Sequence, residues 1–589
     1  MIFLSNARIV VISAKWIVAG RRRSSAVVVG SFDYLRWWVI ERLFDQWELW
    51  CGEFIKDTVL INAFYRACGS NVSLVGARID TFLRDLDLMT VGYGASIEGN
   101  VYARSFFREG QILGMRFARV SIYGTVEKFA VVQLGAEIEE GAVLKHMSVA
   151  APFSRAEGGK AMHEHQSRLS RRCWIEVAKL ALLLPLLYAP FVTTSTIVAW
   201  TMRRVGWFAL TFRYRPLVWW VLSYYSGLIV LVLFVVVCKW LLIGFARPGS
   251  PRSMMMVRAW FVDYVWQRIV VRLCGIMFQG NGLAVNLLLR ALGVDMAWSA
   301  RFVSAEAVSA SEADMITVEA RAQISLCTVS CVTAASSYAP VRIGCDAEVG
   351  FNAYIEAGTE IGEGSVVAQQ TVASGVLPPG SVTLGKATFQ QPGGPQKRKI
   401  IDPEGVVNRV AIIFAPFVSR ALLLALLGFV ALIPSYELAV LVLFGSANFY
   451  EDDEYQVGIR NDGSRWKPPV DRNIGILCIG PITLVAFASM SLVYRLWLFL
   501  IFGNFRNLEG TSRWVFETFH EYQFMIIYAS QKYVMPLVRG SRLAVAYMRF
   551  WGADVDASAF VNYEIFYEAP LISLEAGCVV DEGLYGRAA

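Results

Sequence analysis

A six-residue recurrence of branched apolar residues is the feature that most limits how this chain folds. It places Ile343, Val349, Ile355, Ile361 and Val367 in register, and glycine follows three of them. A plain strand alternates every two residues and a helix every 3.6, so neither produces this period. The period is typical of a parallel β-helix, in which each side of a triangular coil takes six residues and the apolar residue points inward. The sequence therefore predicts a left-handed parallel β-helix here.

The same pattern occurs more than once along the chain. An earlier region repeats it at five positions, Val120, Val126, Val132, Ile138 and Leu144. A third region only begins the pattern near Leu574, close to residue 589. Each region is preceded by an arginine three residues before a glycine, namely Arg66 and Gly69, Arg290 and Gly293, and Arg549 and Gly552. The Arg-x-x-Gly marker and the β region that follows it recur together three times, which predicts three tandem copies of one unit.

Long apolar stretches separate the copies. The chain is 56% hydrophobic and only 17% charged, whereas soluble domains carry about 25% charged residues. The stretches 180–202, 216–238, 421–450 and 473–494 each reach the roughly 20 residues that cross a bilayer. The expected fold class is therefore a multi-pass α-helical membrane protein with tandem β-helix (hexapeptide-repeat) units. We expect an integral membrane location with the soluble units in the cytoplasm, and the lipid bilayer as a partner.

These patterns divide the chain into six predicted segments. They are a remnant of a transmembrane helix (1–20), a first helix plus β-helix unit (32–150), a transmembrane hairpin (174–245), a second helix plus β-helix unit (253–390), a second hairpin (408–505) and a truncated third unit (510–589). Residues 1–20 end like the second span, so we expect the chain to be cut on its N-terminal side. The shortened third unit suggests the same at the C-terminal side.

The candidate catalytic residue of the β-helices is His146, two residues past Leu144 in the first unit. A neutral imidazole takes a proton from an attacking amine or hydroxyl near pH 7. An exposed coil histidine is the alternative reading. The second unit has no histidine, so its base would be Glu356, Glu360 or Asp346.

Glu437 is the second candidate, because an ionisable residue inside a predicted span is expensive and is a functional candidate by default. The alternative is that Pro434 ends the helix and leaves Glu437 near the headgroups. No metal site is expected, because His163 and His165 lack further ligands nearby. The net charge of +7 comes from dispersed basic residues without a reading motif, which argues against nucleic-acid binding.

Several motifs together resemble a known family. They are Lys15-Trp16 and Lys239-Trp240 at the predicted membrane exits, the YLRWW helix from Tyr34 to Trp38, the Arg-x-x-Gly marker, and the entry to the β-helix from Asp87 to Gly92. The chain resembles the membrane-bound C-terminal region of non-ribosomal peptide synthetases of the ε-poly-L-lysine synthetase type. In that family, spans in three hairpins alternate with three tandem soluble domains.

The resemblance implies amide-bond formation by aminoacyl transfer from carrier-bound thioesters. The donor would be a phosphopantetheine-linked or CoA thioester, with no cofactor bound directly. The implied partners are a carrier protein, an adenylation domain and a small amino acid or acyl substrate. The chain departs from the family because it contains no adenylation or carrier segment. Two alternatives stay open: a stand-alone membrane acyltransferase that uses acyl-CoA, and a non-catalytic scaffold or export module.

Overall fold

The computed structural model describes most of the three predicted units. The described residues are 9–109, 112–157, 215–250, 256–271, 282–333, 337–385, 387–390, 488–497, 534–563 and 569–580, with a few isolated positions elsewhere. Short parallel strands follow a helical segment in each of three successive regions, so the fold is described below as three units.

The first unit is a parallel β-helix with three sheets. They are β2 (Asn71–Val72), β4 (Met89–Val91), β9 (Ala118–Val120), β12 (Glu137–Ile138) and β15 (Arg155–Ala156); β3 (Arg78–Ile79), β5 (Ser96–Ile97), β10 (Thr125–Val126) and β13 (Val143–Leu144); and β6 (Tyr102–Ala103), β11 (Val131–Val132) and β14 (Val149–Ala150). Thr125 pairs with Val143, which is eighteen residues later, and Val131 pairs with Val149 in the same way. Three six-residue sides thus make one coil.

A β-hairpin interrupts this regular winding. Its strands β7 (Phe106–Glu109) and β8 (Ile112–Met115) are antiparallel, and β1 (Ser25–Val28) pairs antiparallel with β8. The hairpin lies between β6 and β9, which explains why the six-residue period is broken between residues 97 and 120. The hairpin packs on the long helix α1 (Phe32–Trp50), where Phe106 contacts Trp37 edge to face.

Helices close one end of the first unit. Ser31 caps α1 by accepting a hydrogen bond from the Tyr34 amide. A 3₁₀ turn (Gly52–Ile55) joins α1 to the shorter helix α2 (Val59–Ala67), which leads into β2. Upstream of α1, residues 9–14 are helical and pass into a π-helical turn, Lys15–Ala19. A further 3₁₀ turn, Leu86–Leu88, precedes β4.

The second unit repeats this plan. Its sheets are β16 (Asp295–Met296), β18 (Ile316–Val318), β21 (Val341–Ile343), β24 (Glu360–Ile361) and β27 (Val376–Leu377); β17 (Arg301–Phe302), β19 (Gln323–Ile324), β22 (Glu348–Val349), β25 (Val366–Val367), β28 (Ser381–Leu384) and β29 (Ala387–Gln390); and β20 (Thr328–Val329), β23 (Tyr354–Ile355) and β26 (Val372–Ala373). The recurring residues Ile343, Val349, Ile355, Ile361 and Val367 all occupy inward strand positions and are buried.

The helical part of the second unit comes before its strands. It consists of α3 (Arg215–Leu242), α4 (Met256–Tyr264), a π-helical turn (Val265–Val270), α5 (Gly282–Leu292) and two 3₁₀ turns (Ala305–Ala307 and Ala310–Met315). Apolar side chains of the first and second units share one continuous core.

The third unit is shorter in the described residues. It comprises α6 (Arg542–Phe550), β30 (Asp554–Val555), β31 (Phe560–Val561), a 3₁₀ turn (Ala569–Leu571), β32 (Ser573–Leu574) and β33 (Val579–Val580). β30 pairs with β32 and β31 with β33, both in parallel. Its apolar side chains form a separate core around Trp551.

The Arg-x-x-Gly marker ends the short helix of each unit. Gly69 and Gly293 follow α2 and α5 with φ of 106° and 112°, a region that favours glycine. In the second unit Arg290 donates to the Met296 carbonyl, six residues on. In the third, Arg549 Nε donates to the Val555 carbonyl at 2.7 Å. The arginine thus ties the end of the helix to the first strand of the coil.

The prediction of a multi-pass α-helical membrane protein is wrong. Among the residues that the structure describes, no helix is both long and apolar enough to cross a membrane. The predicted span 216–238 lies in α3, whose described side chains begin at Ser226. There Leu231, Val235 and Lys239 are buried, and the two apolar residues join the common core. Other apolar residues of the helix, such as Ile229, Leu233 and Val237, are exposed. Hydropathy reports the composition of a run and not the surface that each side chain meets, which is why it misassigned this one.

The expected integral membrane location is corrected with the fold class. The lipid bilayer as a partner stays a prediction. Most of the other three predicted spans (180–202, 421–450 and 473–494) lies outside the described residues. The division of the chain into six segments remains a prediction.

Candidate functional site

His146 lies at the outer edge of the first β-helix, where the chain turns after β13. Leu144 points into the coil, and the turn continues through Met147 with a positive φ of 55°. The His146 side chain is 17% exposed. It is therefore not the freely exposed coil histidine of the alternative reading.

The carboxylate of Glu127 holds His146. Glu127 follows β10, one coil below, and its Oε2 accepts a hydrogen bond from the His146 backbone N–H at 3.0 Å. The same oxygen lies 3.4 Å from His146 Nε2. The other ring nitrogen, Nδ1, is buried and has no hydrogen-bond partner among the described residues. This arrangement favours the tautomer with the proton on Nε2, which leaves the lone pair of Nδ1 available to accept a proton.

The ring of His146 meets Tyr354 of the second β-helix. The two ring centroids are 4.0 Å apart, with the planes tilted by 31°. Tyr354 begins β23 and is buried, and burial raises the pKa of its phenol well above the ordinary value. A hydrogen bond with the Ser330 side chain opposes this rise, and the nearby charge of Glu98 adds to it. Tyr354 is therefore a neutral phenol at physiological pH.

Ion pairs below this contact hold the first two units together. Arg268, in the π-helical turn after α4, pairs with Glu53 at 2.8 Å and also with Asp80. The Tyr264 hydroxyl donates to the Phe54 carbonyl at 2.6 Å. These contacts join the helical segment of the second unit to the first unit near the base of its β-helix.

One column of carboxylates leads from that ion pair to His146. Asp80, Glu98 and Glu127 each follow a strand of the second sheet, namely β3, β5 and β10, so successive coils stack them. Asp80 binds Arg268, and Glu127 holds His146. The contact of His146 and Glu127 with Tyr354, called the cleft below, thus brings together a histidine, a carboxylate ladder and a neutral phenol.

The remaining sequence candidates do not join this cleft. Glu437, His163 and His165 lie outside the described residues. Asp346 forms a two-pronged ion pair with Arg321, at 2.7 and 2.6 Å, that links successive coils of the second unit. Glu360 is exposed on β24. The described residues also contain no group of three or more histidine, cysteine, aspartate or glutamate side chains able to hold a metal ion.

The Lys-Trp motifs have a structural explanation that the sequence reading missed. Lys15 donates to Asp87 at 2.7 Å, and Lys239 donates to Asp314 at 3.1 Å. The two motifs quoted for the family resemblance, Lys15-Trp16 and Asp87–Gly92, therefore meet in a single buried ion pair. Because the partners are more than 70 residues apart, a spacing pattern could not have joined them.

The tryptophans of these motifs are equally regular. Trp16 Nε1 donates to the Ala67 carbonyl, and Trp240 Nε1 to the Ala291 carbonyl, both at 2.8 Å. Each indole thus binds the end of the short helix in its own unit. These motifs therefore fix the helix that enters each unit to the short helix and the β-helix of that unit.

A buried polar cluster joins the third unit to α1. The Arg539 guanidinium pairs with Asp45, and Arg84 binds both Asp45 and Glu48 at 2.7 Å. Burial raises the pKa of Glu48 to about 8, although the Arg84 charge opposes the rise. No sequence pattern had singled out these residues, because they come together only when the units pack.

No protein-family model, no curated protein and no solved structure matches this chain. The residues of the cleft are therefore the basis for any statement about its function.

Proposed function

We propose that this chain forms amide bonds by transferring an aminoacyl or acyl group from a thioester to an amine in the cleft between the first and second β-helices. The observation that carries the proposal is the position of His146. Its Nε2 lies 3.4 Å from a carboxylate, while its buried Nδ1 has no partner in the described structure. A general base needs this division of roles between its two ring nitrogens.

The proposed step is a simple exchange at one carbonyl carbon. The amine nitrogen attacks the thioester carbonyl, and His146 Nδ1 takes the proton that this nitrogen loses. The C–S bond then breaks, and the thiolate leaves with the proton returned from Nδ1. The products are an amide and a free thiol, and the imidazole ends as it began.

The neighbours of His146 have separate roles. Glu127 stabilises the imidazolium that forms during the step, as a carboxylate beside a histidine does in acyl-transfer sites. The buried Tyr354 ring covers the other face of the imidazole and limits access of water, which would hydrolyse the thioester.

The donor has the chemistry that the resemblance to ε-poly-L-lysine synthetase-type proteins suggests. A phosphopantetheine thioester on a carrier protein is the first choice, with the carrier and its adenylation domain as partners. A CoA thioester carries the same pantetheine arm. The two donors are distinguished by comparing rates with each.

The test measures thiol release and amide formation by the purified full chain. The donors are acetyl-CoA, aminoacyl-pantetheine and an aminoacylated carrier protein, each with a free amino acid as acceptor. The test variant is His146→Gln, which keeps the size of the side chain and loses the base. The matched control is Gln369→Ala, because Gln369 lies two residues past β25 as His146 lies two past β13.

We expect His146→Gln to lower turnover by about 10²–10⁴-fold, the usual contribution of a general base. Gln369→Ala should leave turnover unchanged. Equal turnover in His146→Gln and the unmodified chain would refute the assignment. A chain that consumes no thioester at all under these conditions would favour the scaffold alternative.

A further inference from the structure

The structure contains two contacts between units that are built from the same parts. In each, the helix that begins one unit receives the linker that precedes the short helix of another unit. The first places the linker of the third unit, at residues 539–540, on α1 of the first unit. The second places the linker of the first unit, at residues 53–54, on residues 264–268 of the second.

Linker carbonyls accept from helix side chains in both contacts. In the first contact, the Arg539 carbonyl accepts from Trp38 Nε1 at 2.8 Å and from Arg42 at 3.1 Å. The Gly540 carbonyl accepts from the Tyr34 hydroxyl at 3.1 Å. These bonds fix the linker backbone on the helix and do not depend on the linker side chains.

In the second contact the Phe54 carbonyl accepts from the Tyr264 hydroxyl at 2.6 Å. An aromatic side chain on the helix therefore binds a linker carbonyl in both places. The first unit uses its helix toward the third unit and its linker toward the second, which is a head-to-tail relation among the described residues.

The ion pairs of the two contacts have opposite polarity. In the first, the helix supplies Asp45 and the linker supplies Arg539. In the second, the helix supplies Arg268 and the linker supplies Glu53. Asp45 and Arg268 are equivalent in sequence, since each stands six residues before a Cys-Gly pair.

Exchanging the partners would bring like charges together. Arg268 would face Arg539, and Asp45 would face Glu53. Asp45 and Arg539 have side chains only 2% and 1% exposed, so water screens such a repulsion poorly. An interface that repels the wrong partner gains specificity from that repulsion.

We infer that reversed ion pairs fix the order of the three units head to tail within one chain, so that a single chain completes the cleft between its own first and second β-helices without a second copy. The part of this inference that concerns chemistry depends on the proposed function. The part that concerns packing does not.

Among the described strands, comparison of the first and second units finds one such pairing of side chains. The position of His146 holds Gln369 in the second unit, and the position of Tyr354 holds Val131 in the first. Neither substitute can accept a proton as imidazole does. The contacts between helices and linkers therefore hold the units together and take no part in the proposed chemistry.

The test uses the full chain with Tyr354→p-benzoylphenylalanine, an aromatic photo-cross-linker of similar shape. It is co-expressed with an untreated chain that carries a distinguishing affinity tag. After irradiation, we expect a product linked within one chain to the peptide that contains Glu127 to Met147, and no covalent dimer. A covalent dimer with the tagged chain, or the absence of any link to that peptide, would overturn the inference.

Charge variants test the role of the ion pairs. Arg268→Glu should lower the yield of the internal link about tenfold, because it puts like charges into a partly buried contact. Adding Glu53→Arg and Asp80→Asn should restore most of the yield. A failure of the second step would also overturn the inference, because it would show that charge pairing does not set the order.

The two proposals fail in different ways. Unchanged turnover in His146→Gln contradicts the proposed function and leaves the cross-link unaffected. A link between chains contradicts the inferred packing, even if His146→Gln is inactive.

Discussion

Replacing Lys239 by methionine should destabilise the second unit strongly, although Lys239 is not one of the residues assigned to the cleft. The Lys239 side chain is fully buried and its partner Asp314 is only 3% exposed. The ammonium donates to Asp314 at 3.1 Å and to the Gly244 carbonyl at 2.8 Å. Methionine fills most of the volume but leaves the Asp314 carboxylate with the Ala246 N–H and no cation paired to it among the described residues.

The magnitude follows from that uncompensated charge. Removing one member of a buried ion pair costs about 3–5 kcal/mol, because the other charge stays buried. The double variant Lys239→Met with Asp314→Asn removes the charge as well, so it should recover at least about 2 kcal/mol of the loss. The equivalent change Lys15→Met should act on the first unit, because Lys15 and Asp87 are equally buried.

Hydrogen exchange with mass spectrometry resolves these effects unit by unit, which a single unfolding curve of a multi-unit chain does not. The peptides to follow are 295–318 in the second unit and 71–91 in the first. Lys239→Met should speed exchange in the former far more than in the latter, and Lys15→Met should do the opposite. The reasoning fails if Lys239→Met changes the opening free energy by less than about 1 kcal/mol, or if the double variant is as unstable as the single one.

Three further changes follow from the same structure. Burial raises the pKa of Glu48 to about 8, above its ordinary 4.5. The free energy of unfolding should therefore fall as pH rises from about 5 to 8, by at most about 5 kcal/mol at 1.4 kcal/mol per pKa unit. Glu48→Gln should flatten this slope when urea unfolding is followed across pH. Gly92→Ala should destabilise the first unit by about 1–3 kcal/mol, because its Cβ would lie 2.7 Å from the backbone nitrogen of Ile122. Unaltered amide hydrogen exchange in residues 89–126 would contradict this prediction. Tyr354→Phe should keep turnover within a few-fold, whereas Tyr354→Ala should lower it about tenfold to hundredfold by opening the cleft; equal rates in the two variants would show that the ring has no such role.

The six-residue period predicted which residues of the β-helices face inward. A period of six requires each sixth residue to face the same interior, and Ile343 to Val367 are buried accordingly. The marker glycines predicted three copies of one unit, and the structure adds that each ends a short helix with a positive φ that suits glycine. Patterns of this kind report constraints between residues that are near in sequence.

Contacts between distant segments could not be obtained in that way. The pairing of Lys15 with Asp87, and of Arg539 with Asp45, depends on how helices and units pack. The sequence pattern identified His146 from its position in a coil, but it did not identify Tyr354 or Glu127 as its neighbours. Nothing in the sequence places a residue of β23 beside the turn that follows β13. The apolar run in α3 was assigned to the membrane for the same reason, because its composition does not state which surface it meets.

We propose that a thioester is processed between two β-helices of the same chain. A pantetheine thioether bearing a photoreactive acyl group, which cannot be hydrolysed, tests this directly when the labelled peptides of the full chain are mapped by mass spectrometry. We predict labels in both the segment from Glu127 to Met147 and the segment from Thr328 to Glu356, and competition by an unlabelled thioester. Labels confined to one unit, or lying elsewhere on the described surface, would contradict the claim.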